Sequence, residues 1–246
     1  MSRKVVAGNW KMNLNYNEAL SLFNSVNTIS AKDVEIIVAP ASIYLAEFSK
    51  CSGRVKLAAQ NVSNFKSGAY TGEISAQMLN SLNVEYCIVG HSERRSYYNE
   101  TDQLINQKLH LLLENNISPI FCCGEILKDR EKGLHNTIIE QQLKHGLQDL
   151  TKSQLLNCII AYEPVWAIGT GLTATAEQAQ QMHSFIRDVI SQLYDLETAS
   201  SLSILYGGSC KPSNSAELFA KKDVNGGLIG GAALKKETFN EIIDSF

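Results

Sequence analysis

Residues 158–171 read CIIAYEPVWAIGTG, and this segment indicates both a fold and a place for chemistry. Its first five residues form a short apolar run that is typical of a buried strand. Pro164 lacks a backbone donor and restricts Glu163 to an extended conformation, so we expect the strand to end at Glu163. Two large apolar residues, Trp166 and Ile168, follow on a loop that ends in Gly-Thr-Gly and has the freedom to move. The segment predicts a base at a strand end beside a mobile loop or, alternatively, a solvated loop acid with statically packed neighbours.

Seven more short apolar runs lie on either side of this one, separated by longer amphipathic segments. Two capping pairs, Asn15 with Glu18 and Thr175 with Gln178, mark predicted helix starts. A strand followed by a helix, repeated eight times, predicts a parallel sheet, and closure into a (β/α)8 barrel leaves no exposed edge. The predicted strands are residues 5–9, 35–39, 55–59, 86–89, 119–123, 158–162, 202–206 and 227–229. The predicted core-facing helix residues are Ala19, Leu22, Phe23, Val26, Ile29, Leu104, Ile105, Leu109, Leu112, Met182, Phe185, Ile186, Val189 and Leu193.

The length of 246 residues and the 44% hydrophobic content suit an α/β protein with a single barrel domain over residues 1–246. An open doubly wound sheet is the alternative, but the first strand-to-helix turn, GNWKMN, lacks the GxGxxG of dinucleotide folds. A net charge of −3 without a basic stripe argues against nucleic acid or an anionic membrane as partner. No apolar run has the length of a signal peptide or a membrane span, so we expect a cytoplasmic protein.

The six cysteines show no CxxC spacing, and several lie inside apolar runs. Buried reduced thiols are therefore favoured over a disulfide framework or a metal site. The six are Cys51, Cys87, Cys122, Cys123, Cys158 and Cys210.

Polar residues follow several predicted strands at the end where (β/α)8 barrels carry their chemistry. Asn9 and Lys11 are two residues apart and should point to the same side of an extended segment, where an ammonium would suit a phosphate. His91 precedes a predicted helix start, and a helix N-terminus favours the neutral imidazole as a hydrogen-bond donor. A solvated lysine and a structural histidine are the alternatives for these two residues taken singly.

The loops after the third, seventh and eighth strands also have unusual sequences. A stretch of about fifteen residues follows Gln60, with GAYTGE at its centre, and a loop of that length is often functional. Glycine pairs follow the last two strands in YGGS, residues 206–209, and IGGA, residues 229–232. Adjacent glycines let backbone N–H groups approach an anion closely, so these two loops predict a phosphate site.

Seven motifs occur in order across nearly the whole chain: GNWKMN, GAYTGE, GHSERR, CCGE, AYEPVWAIGTG, YGGS and LIGGAAL. Together they resemble the triosephosphate isomerase family, and the resemblance is to the enzyme and not only to its TIM barrel. It implies that Glu163 is the catalytic base, His91 the electrophile and Lys11 the cation that holds the substrate. It places Asn9 beside the substrate oxygens, with Ser92 and Glu93 in supporting positions.

The resemblance also implies a binding machinery around the reacting atoms. Residues 164–171 match a closing lid with Gly169 at its phosphate-contacting end, and residues 206–208 match a loop that latches against the closed lid. Ser209, Gly230 and Gly231 match the main-chain phosphate grip. Thr71 matches a loop tip that reaches into the partner subunit's site, so a homodimer is implied.

The implied reaction interconverts dihydroxyacetone phosphate and D-glyceraldehyde 3-phosphate through an enediolate, without metal or redox cofactor. Two rivals remain: another phosphate-binding barrel enzyme, such as a Schiff-base aldolase or a different sugar-phosphate isomerase, and a non-catalytic scaffold. Three departures from the family pattern are Leu172, Ala233 and Cys210, which stand where lysine, serine and a small aliphatic residue are common. They bear on lid motion and phosphate affinity, and no implied catalytic position is substituted.

Overall fold

The computed structural model describes residues 2–51, 53–169 and 171–246. Within these ranges eight parallel strands close into a barrel in chain order, and the first strand pairs with the last from Val5 opposite Gly226 to Gly8 opposite Ile229. The predicted (β/α)8 barrel is confirmed, and the open doubly wound alternative is wrong. The strands are β1 Lys4–Asn9, β2 Val34–Ala39, β3 Lys56–Ala59, β4 Tyr86–Val89, β5 Ser118–Glu125, β6 Ile159–Pro164, β7 Ser203–Tyr206 and β8 Gly226–Ile229.

Helices surround this barrel, and both predicted capping pairs are present. Asn15 and Glu18 exchange hydrogen bonds at the start of the helix Tyr16–Val26, as Thr175 and Gln178 do at the start of the helix Ala176–Leu193. Over the described residues the α-helices are α1 Tyr16–Val26, α2 Leu45–Phe48, α3 Ala76–Ser81, α4 Ser92–Tyr97, α5 Asp102–Glu114, α6 Leu127–Glu131, α7 His135–Gly146, α8 Lys152–Leu156, α9 Ala176–Leu193, α10 Leu196–Ser201, α11 Pro212–Phe219 and α12 Lys236–Ile243.

Strands β5 and β6 run further than predicted. The parallel register continues to Gly124 opposite Glu163 and Glu125 opposite Pro164. Proline has no backbone N–H to donate to a neighbouring strand, and Pro164 is tolerated because it is the last residue of β6. The extension sets two glutamates, Glu125 and Glu163, at the carboxyl ends of neighbouring strands.

Apolar residues fill two separate layers because successive strand residues point to opposite faces. Val5 and Ala7 point into the barrel, whereas Val6 packs beneath the helices. Most of the predicted helix faces are buried in this outer layer, but Leu193 is 39% exposed and its prediction is wrong. Leu193 is the last residue of the eighteen-residue helix α9, where fewer neighbouring residues are available to cover a side chain.

His183 on α9 gives the fold a predicted dependence on pH. It is fully buried, with Nδ1 3.2 Å from the Asp223 carbonyl oxygen, and burial lowers its pKa from 6.5 to about 4. The unfolded chain therefore takes up a proton below about pH 6.5, and the folded protein takes it up only near pH 4. We expect the free energy of unfolding to fall across this window by up to about 3 kcal/mol from this group.

Urea unfolding between pH 7 and pH 4.5 measures the effect. In the matched variant His183→Asn an amide can still donate to the Asp223 carbonyl, but it does not titrate. The pH slope should be shallower in that variant. An unchanged slope would contradict the assignment.

Candidate active site

The carboxyl ends of the strands open onto a cavity of about 940 Å³. Loops after β1, β4, β6, β7 and β8 contribute to its wall. Seven of the eight predicted site residues line it: Asn9, Lys11, His91, Gly169, Ser209, Gly230 and Gly231. The eighth, Glu163, lies next to His91 but is 1% exposed and does not line the cavity.

Ser92 holds the Glu163 carboxylate at the first turn of α4. One carboxylate oxygen accepts the Ser92 backbone N–H at 2.8 Å, and the other accepts the Ser92 hydroxyl at 2.9 Å. Gly207 leaves room on the other side, because a Cβ there would lie 2.9 Å from Cγ of Glu163. A carboxylate in this position must leave Ser92 before it can reach a molecule in the cavity.

His91 caps α4 with its ring. Nδ1 accepts the backbone N–H of Glu93 at 3.2 Å, so that nitrogen carries no proton and a neutral ring carries its proton on Nε2. Nε2 lies 3.1 Å from Oε1 of Glu163. The helix start thus fixes a tautomer whose N–H points toward the carboxylate and the cavity.

Lys11 and Asn9 line the same cavity, as predicted. The prediction assumed an extended backbone at Lys11, and that assumption is wrong. Its φ of 53° is left-handed rather than extended, a conformation that costs a residue other than glycine about 1 kcal/mol or more. The backbone is held there because its N–H donates to Oδ1 of Asn9 at 3.0 Å and its carbonyl accepts from Gln60 at 2.9 Å. The Lys11 ammonium lies 2.5 Å from a Glu93 carboxylate oxygen.

The glycine loops approach the cavity with bare backbone. A Cβ on Gly208 would lie 2.3 Å from the Tyr206 hydroxyl, so no side chain fits there. Gly169 and Gly171 have φ of 70° and 83°, which only glycine adopts readily. Thr170, between them in the predicted lid, lies outside the described residues.

Sequence reasoning missed Glu125, which lies buried at the end of β5. Its Oε1 accepts from the Tyr162 hydroxyl at 3.0 Å, Nε1 of Trp166 at 2.8 Å and Nη1 of Arg130 at 2.9 Å. Glu125 therefore anchors the Trp166 end of the predicted lid to the barrel. A glutamate directly after the buried run PIFCCG was the available signal.

The thiols are buried as predicted except for Cys51, which is exposed. Burial raises the pKa of Cys210 to about 12 and that of Cys122, with Glu163 nearby, well above its usual range. Thiolates are the reactive form. We expect iodoacetamide at pH 7.5 to add one label to the folded protein, at Cys51, and six after unfolding in urea.

Intact-mass measurement of the labelled protein checks this expectation. The Cys51→Ser variant, labelled under the same folded conditions, should gain none. Rapid labelling of Cys210, which lines the cavity, would contradict the predicted protection.

Of the three departures from the family pattern, Cys210 lines the cavity, whereas Leu172 and Ala233 do not. Leu172 is 52% exposed after the predicted lid. Ala233 is buried, and its Cβ would lie 2.9 Å from a Cβ placed on Gly8, so this wall of the barrel is tightly packed.

A closed parallel barrel with a carboxylate, an imidazole and an ammonium at its carboxyl end defines the class of (β/α)8-barrel enzymes. The triosephosphate isomerase family model matches residues 4–246. The triosephosphate isomerase of Phocaeicola vulgatus is 49% identical to this chain over the full length of both proteins. That of Flavobacterium psychrophilum is also 49% identical, over 99% of each protein. That of Chloroherpeton thalassium is 48% identical over 100% of this chain and 99% of its own length. The chain belongs to the triosephosphate isomerase family, and it is an isomerase.

None of the described helices combines the length and apolar character needed to cross a membrane. Across residues 2–51, 53–169 and 171–246, no group of three or more His, Cys, Asp or Glu side chains is arranged to hold a metal ion.

Proposed function

We propose that this chain interconverts dihydroxyacetone phosphate and D-glyceraldehyde 3-phosphate, with Glu163 as base and His91 as electrophile. The observation that carries the proposal is the 3.1 Å approach of Nε2 of His91 to Oε1 of Glu163 beside a cavity that Lys11 also lines. The family membership supports the same reaction. In this reaction a proton moves between adjacent carbons while the phosphate stays bound.

The chemistry requires a base and a partner for developing negative charge. Removal of a proton from the carbon next to a carbonyl leaves charge on the carbonyl oxygen, which becomes an enediolate oxygen. The Nε2–H of His91 and the ammonium of Lys11 are the donors placed to stabilise that charge, and Asn9 lies beside them. Glu163 takes the proton and returns it to the neighbouring carbon, while a second proton passes from the hydroxyl oxygen to the former carbonyl oxygen, so the atoms balance without a redox partner.

The phosphate group provides binding energy at a distance from the reacting carbons. Ser209, Gly230 and Gly231 line the cavity, and their backbone N–H groups would hold the phosphate, with Gly169 closing over it from the lid. Closure of residues 164–171 would use this binding energy to draw Glu163 away from Ser92 and toward the substrate. Ile168 and Leu228 line the cavity and would exclude water from the intermediate.

The Schiff-base aldolase rival finds little support. Such an enzyme needs a lysine whose amine reaches the substrate carbonyl from inside the barrel. Lys56, the lysine that begins β3, is at the opposite, amino end of its strand and pairs with Glu85 at 2.5 Å. A non-catalytic scaffold would not require the buried arrangement of Glu163, Ser92 and His91.

We therefore keep the proposal that the protein is an isomerase. We further propose that it acts as one barrel domain in the cytoplasm, in glycolysis or gluconeogenesis.

We further propose a homodimer through the loop that carries Thr71. Large apolar side chains are exposed on and around this loop, and a second cavity of about 460 Å³ beside Asn9, Lys11 and Gly72 could receive a partner's loop tip. These exposed residues are Met12, Ile43, Phe65, Tyr70, Met78 and Tyr98. Sedimentation should give twice the chain mass, and Tyr70→Asp should lower it; a wild-type monomer would refute the dimer.

A coupled assay with D-glyceraldehyde 3-phosphate tests the reaction itself. We expect fast turnover and thermal stabilisation by 2-phosphoglycolate, a two-carbon phosphate acid that resembles the enediolate in charge. Absence of both in a folded protein would overturn the proposed function.

A further inference from the structure

A second, smaller cavity lies beside Glu163, away from the mouth. This outer cavity has a volume of about 140 Å³, and its wall comes from α4, α6, α7 and the carboxyl ends of β5 and β6. No described residue lines both the outer cavity and the 940 Å³ cavity of the mouth. Glu163 and Ser92, the hydrogen-bonded pair that must separate in the proposed mechanism, both line the outer cavity. A molecule bound there would contact this pair without entering the mouth.

One part of the outer cavity's wall is fixed, and another part must move. The Gln142 side chain accepts the Gly124 N–H at 2.8 Å and donates to the Gly124 carbonyl at 2.9 Å, so α7 holds the end of β5 in place. Glu163 and Val165 are, by contrast, the proposed base and the second residue of the predicted lid. Their movement would change the shape of the cavity. A ligand that fits the resting shape therefore binds the resting state more tightly than the closed state.

The charged residues around the outer cavity leave one carboxylate without a partner. Arg95, the one basic residue among the described residues of its wall, pairs with Asp102 at 2.5 Å. Arg130, the residue after Asp129, pairs with Glu125 at 2.9 Å. Asp129 lines the cavity and is half-buried, and its carboxylate has no ion-pair or hydrogen-bond partner in the part of the chain that the structure describes. A cation in the cavity would supply that partner.

The remaining wall limits the size and polarity of such a cation. Ile126, Ile138 and Val165 provide apolar surface around the cavity. An apolar cavity of about 150 Å³ holds benzene, so a ligand of about six non-hydrogen atoms has a suitable size. The lining therefore fits an ammonium ion with a short apolar body.

We propose that the outer cavity is an inhibitory site for small organic ammonium ions, which keep Glu163 hydrogen-bonded to Ser92 and oppose closure of the lid. This inference rests on the proposed function, because it takes Glu163 as the base and residues 164–171 as the lid. A phosphate ligand in the mouth favours the closed state, and the ammonium ion favours the resting state. Each ligand therefore weakens binding of the other by the same factor. Because the two cavities are separate, this weakening reaches a limit.

The test uses N-methylpyrrolidinium, which has six non-hydrogen atoms and cannot form an imine with the aldehyde substrate. We expect it to bind with a dissociation constant of about 1–10 mM, as suits so small a ligand. Titration calorimetry with 2-phosphoglycolate is repeated at increasing N-methylpyrrolidinium, with sodium chloride keeping the ionic strength constant. The dissociation constant of 2-phosphoglycolate should rise about five- to tenfold and then stay constant.

Nuclear magnetic resonance of ¹⁵N-labelled protein locates the bound cation. The backbone amide signals of Ser96 and Gly124, which line the outer cavity, should shift as N-methylpyrrolidinium is added. Those of Gly230 and Gly231, which line the mouth, should not shift.

Two variants and a neutral ligand serve as controls. Asp129→Asn should weaken N-methylpyrrolidinium binding about three- to fivefold, the usual range for a partly exposed ion pair. Asp188→Asn removes the same charge from an exposed position on α9 and should leave binding unchanged. Cyclopentanol, which also has six non-hydrogen atoms, should bind more weakly than the cation and equally well to wild type and Asp129→Asn. Both variants should melt close to the wild-type temperature.

Four results would overturn the inference. A dissociation constant of 2-phosphoglycolate that rises without limit would place the cation in the mouth. Absence of shifts at Ser96 and Gly124 up to about 50 mM cation, well above the expected dissociation constant, would leave the outer cavity empty. Undiminished binding to Asp129→Asn, or an equal loss in Asp188→Asn, would remove the role of Asp129.

Failure of the proposed function would be distinguishable from these results. A wild-type protein that, without cation, neither binds 2-phosphoglycolate nor turns over glyceraldehyde 3-phosphate would refute that function. The amide shifts and their dependence on Asp129 would still report whether the outer cavity binds the cation.

Discussion

Replacing Glu163 with glutamine is expected to lower kcat by about 10²–10⁴-fold, the usual contribution of a positioned general base. The amide has nearly the shape of the carboxylate but cannot accept the proton. Because the proposed phosphate grip at Ser209, Gly230 and Gly231 is unchanged, affinity for 2-phosphoglycolate should stay within a few-fold of wild type. Steady-state kinetics and titration calorimetry measure the two quantities.

The matched control is Glu163→Asp. Glutamine must place an amide nitrogen where Oε1 now faces Nε2–H of His91, so part of its loss could reflect two opposed donors. Aspartate keeps the base but withdraws it by one methylene group, and we expect an intermediate loss of kcat. More than a tenth of wild-type turnover in the glutamine variant would remove Glu163 from the role of base.

Replacing His91 with glutamine is expected to lower kcat by about 10²–10³-fold or more, the usual cost of losing a preorganised donor to an oxyanion. The ring is fixed because Nδ1 accepts the Glu93 N–H and Nε2 faces the reacting position. A flexible amide loses that preorganisation. A loss of tenfold or less would reduce His91 to a supporting residue.

His91→Asn separates the two functions of the ring. The asparagine oxygen can accept the Glu93 N–H in place of Nδ1, so α4 keeps its cap. It has no donor at the Nε2 position, so kcat should fall at least as far as in the glutamine variant. A melting temperature close to that of wild type would assign the loss to chemistry and not to unfolding.

The barrel could be predicted from the sequence because its signals are local. Short apolar runs, capping pairs and glycine pairs each act over a few residues, and eight repeats of one unit leave few ways to arrange them. Two predictions, the end of β6 and the burial of Leu193, failed because they depend on residues that are distant in the chain. Strand β6 pairs with β5 as far as Pro164 opposite Glu125, and Leu193, the last residue of α9, is exposed.

The site could be predicted only in part. Strand ends identified Asn9, Lys11, His91 and Glu163, but not how they are held. The left-handed backbone of Lys11 depends on a bond from Gln60, which is 49 residues away in the chain. The three donors that meet on Glu125 are Arg130, five residues further along the chain, and Tyr162 and Trp166, which reach Glu125 only because β6 pairs with β5.

These contacts suggest how the lid and the base act together. Trp166, near the start of the lid, donates a hydrogen bond to Glu125. Glu163, the residue immediately before the lid, accepts a hydrogen bond from Ser92. Movement of the lid therefore requires new partners for both. The proposed phosphate grip at Ser209 and Gly230 would provide the binding energy for that exchange.

The proton transfer itself is most directly tested by following the reaction in D₂O by NMR. If Glu163 takes a proton from one carbon and returns one to its neighbour, part of the product must carry solvent deuterium. We predict deuterium at C2 of glyceraldehyde 3-phosphate formed from dihydroxyacetone phosphate, and incorporation at least about 10²-fold slower with Glu163→Gln. Complete retention of the substrate hydrogen in both directions, or deuterium incorporation unchanged by Glu163→Gln, would contradict the account.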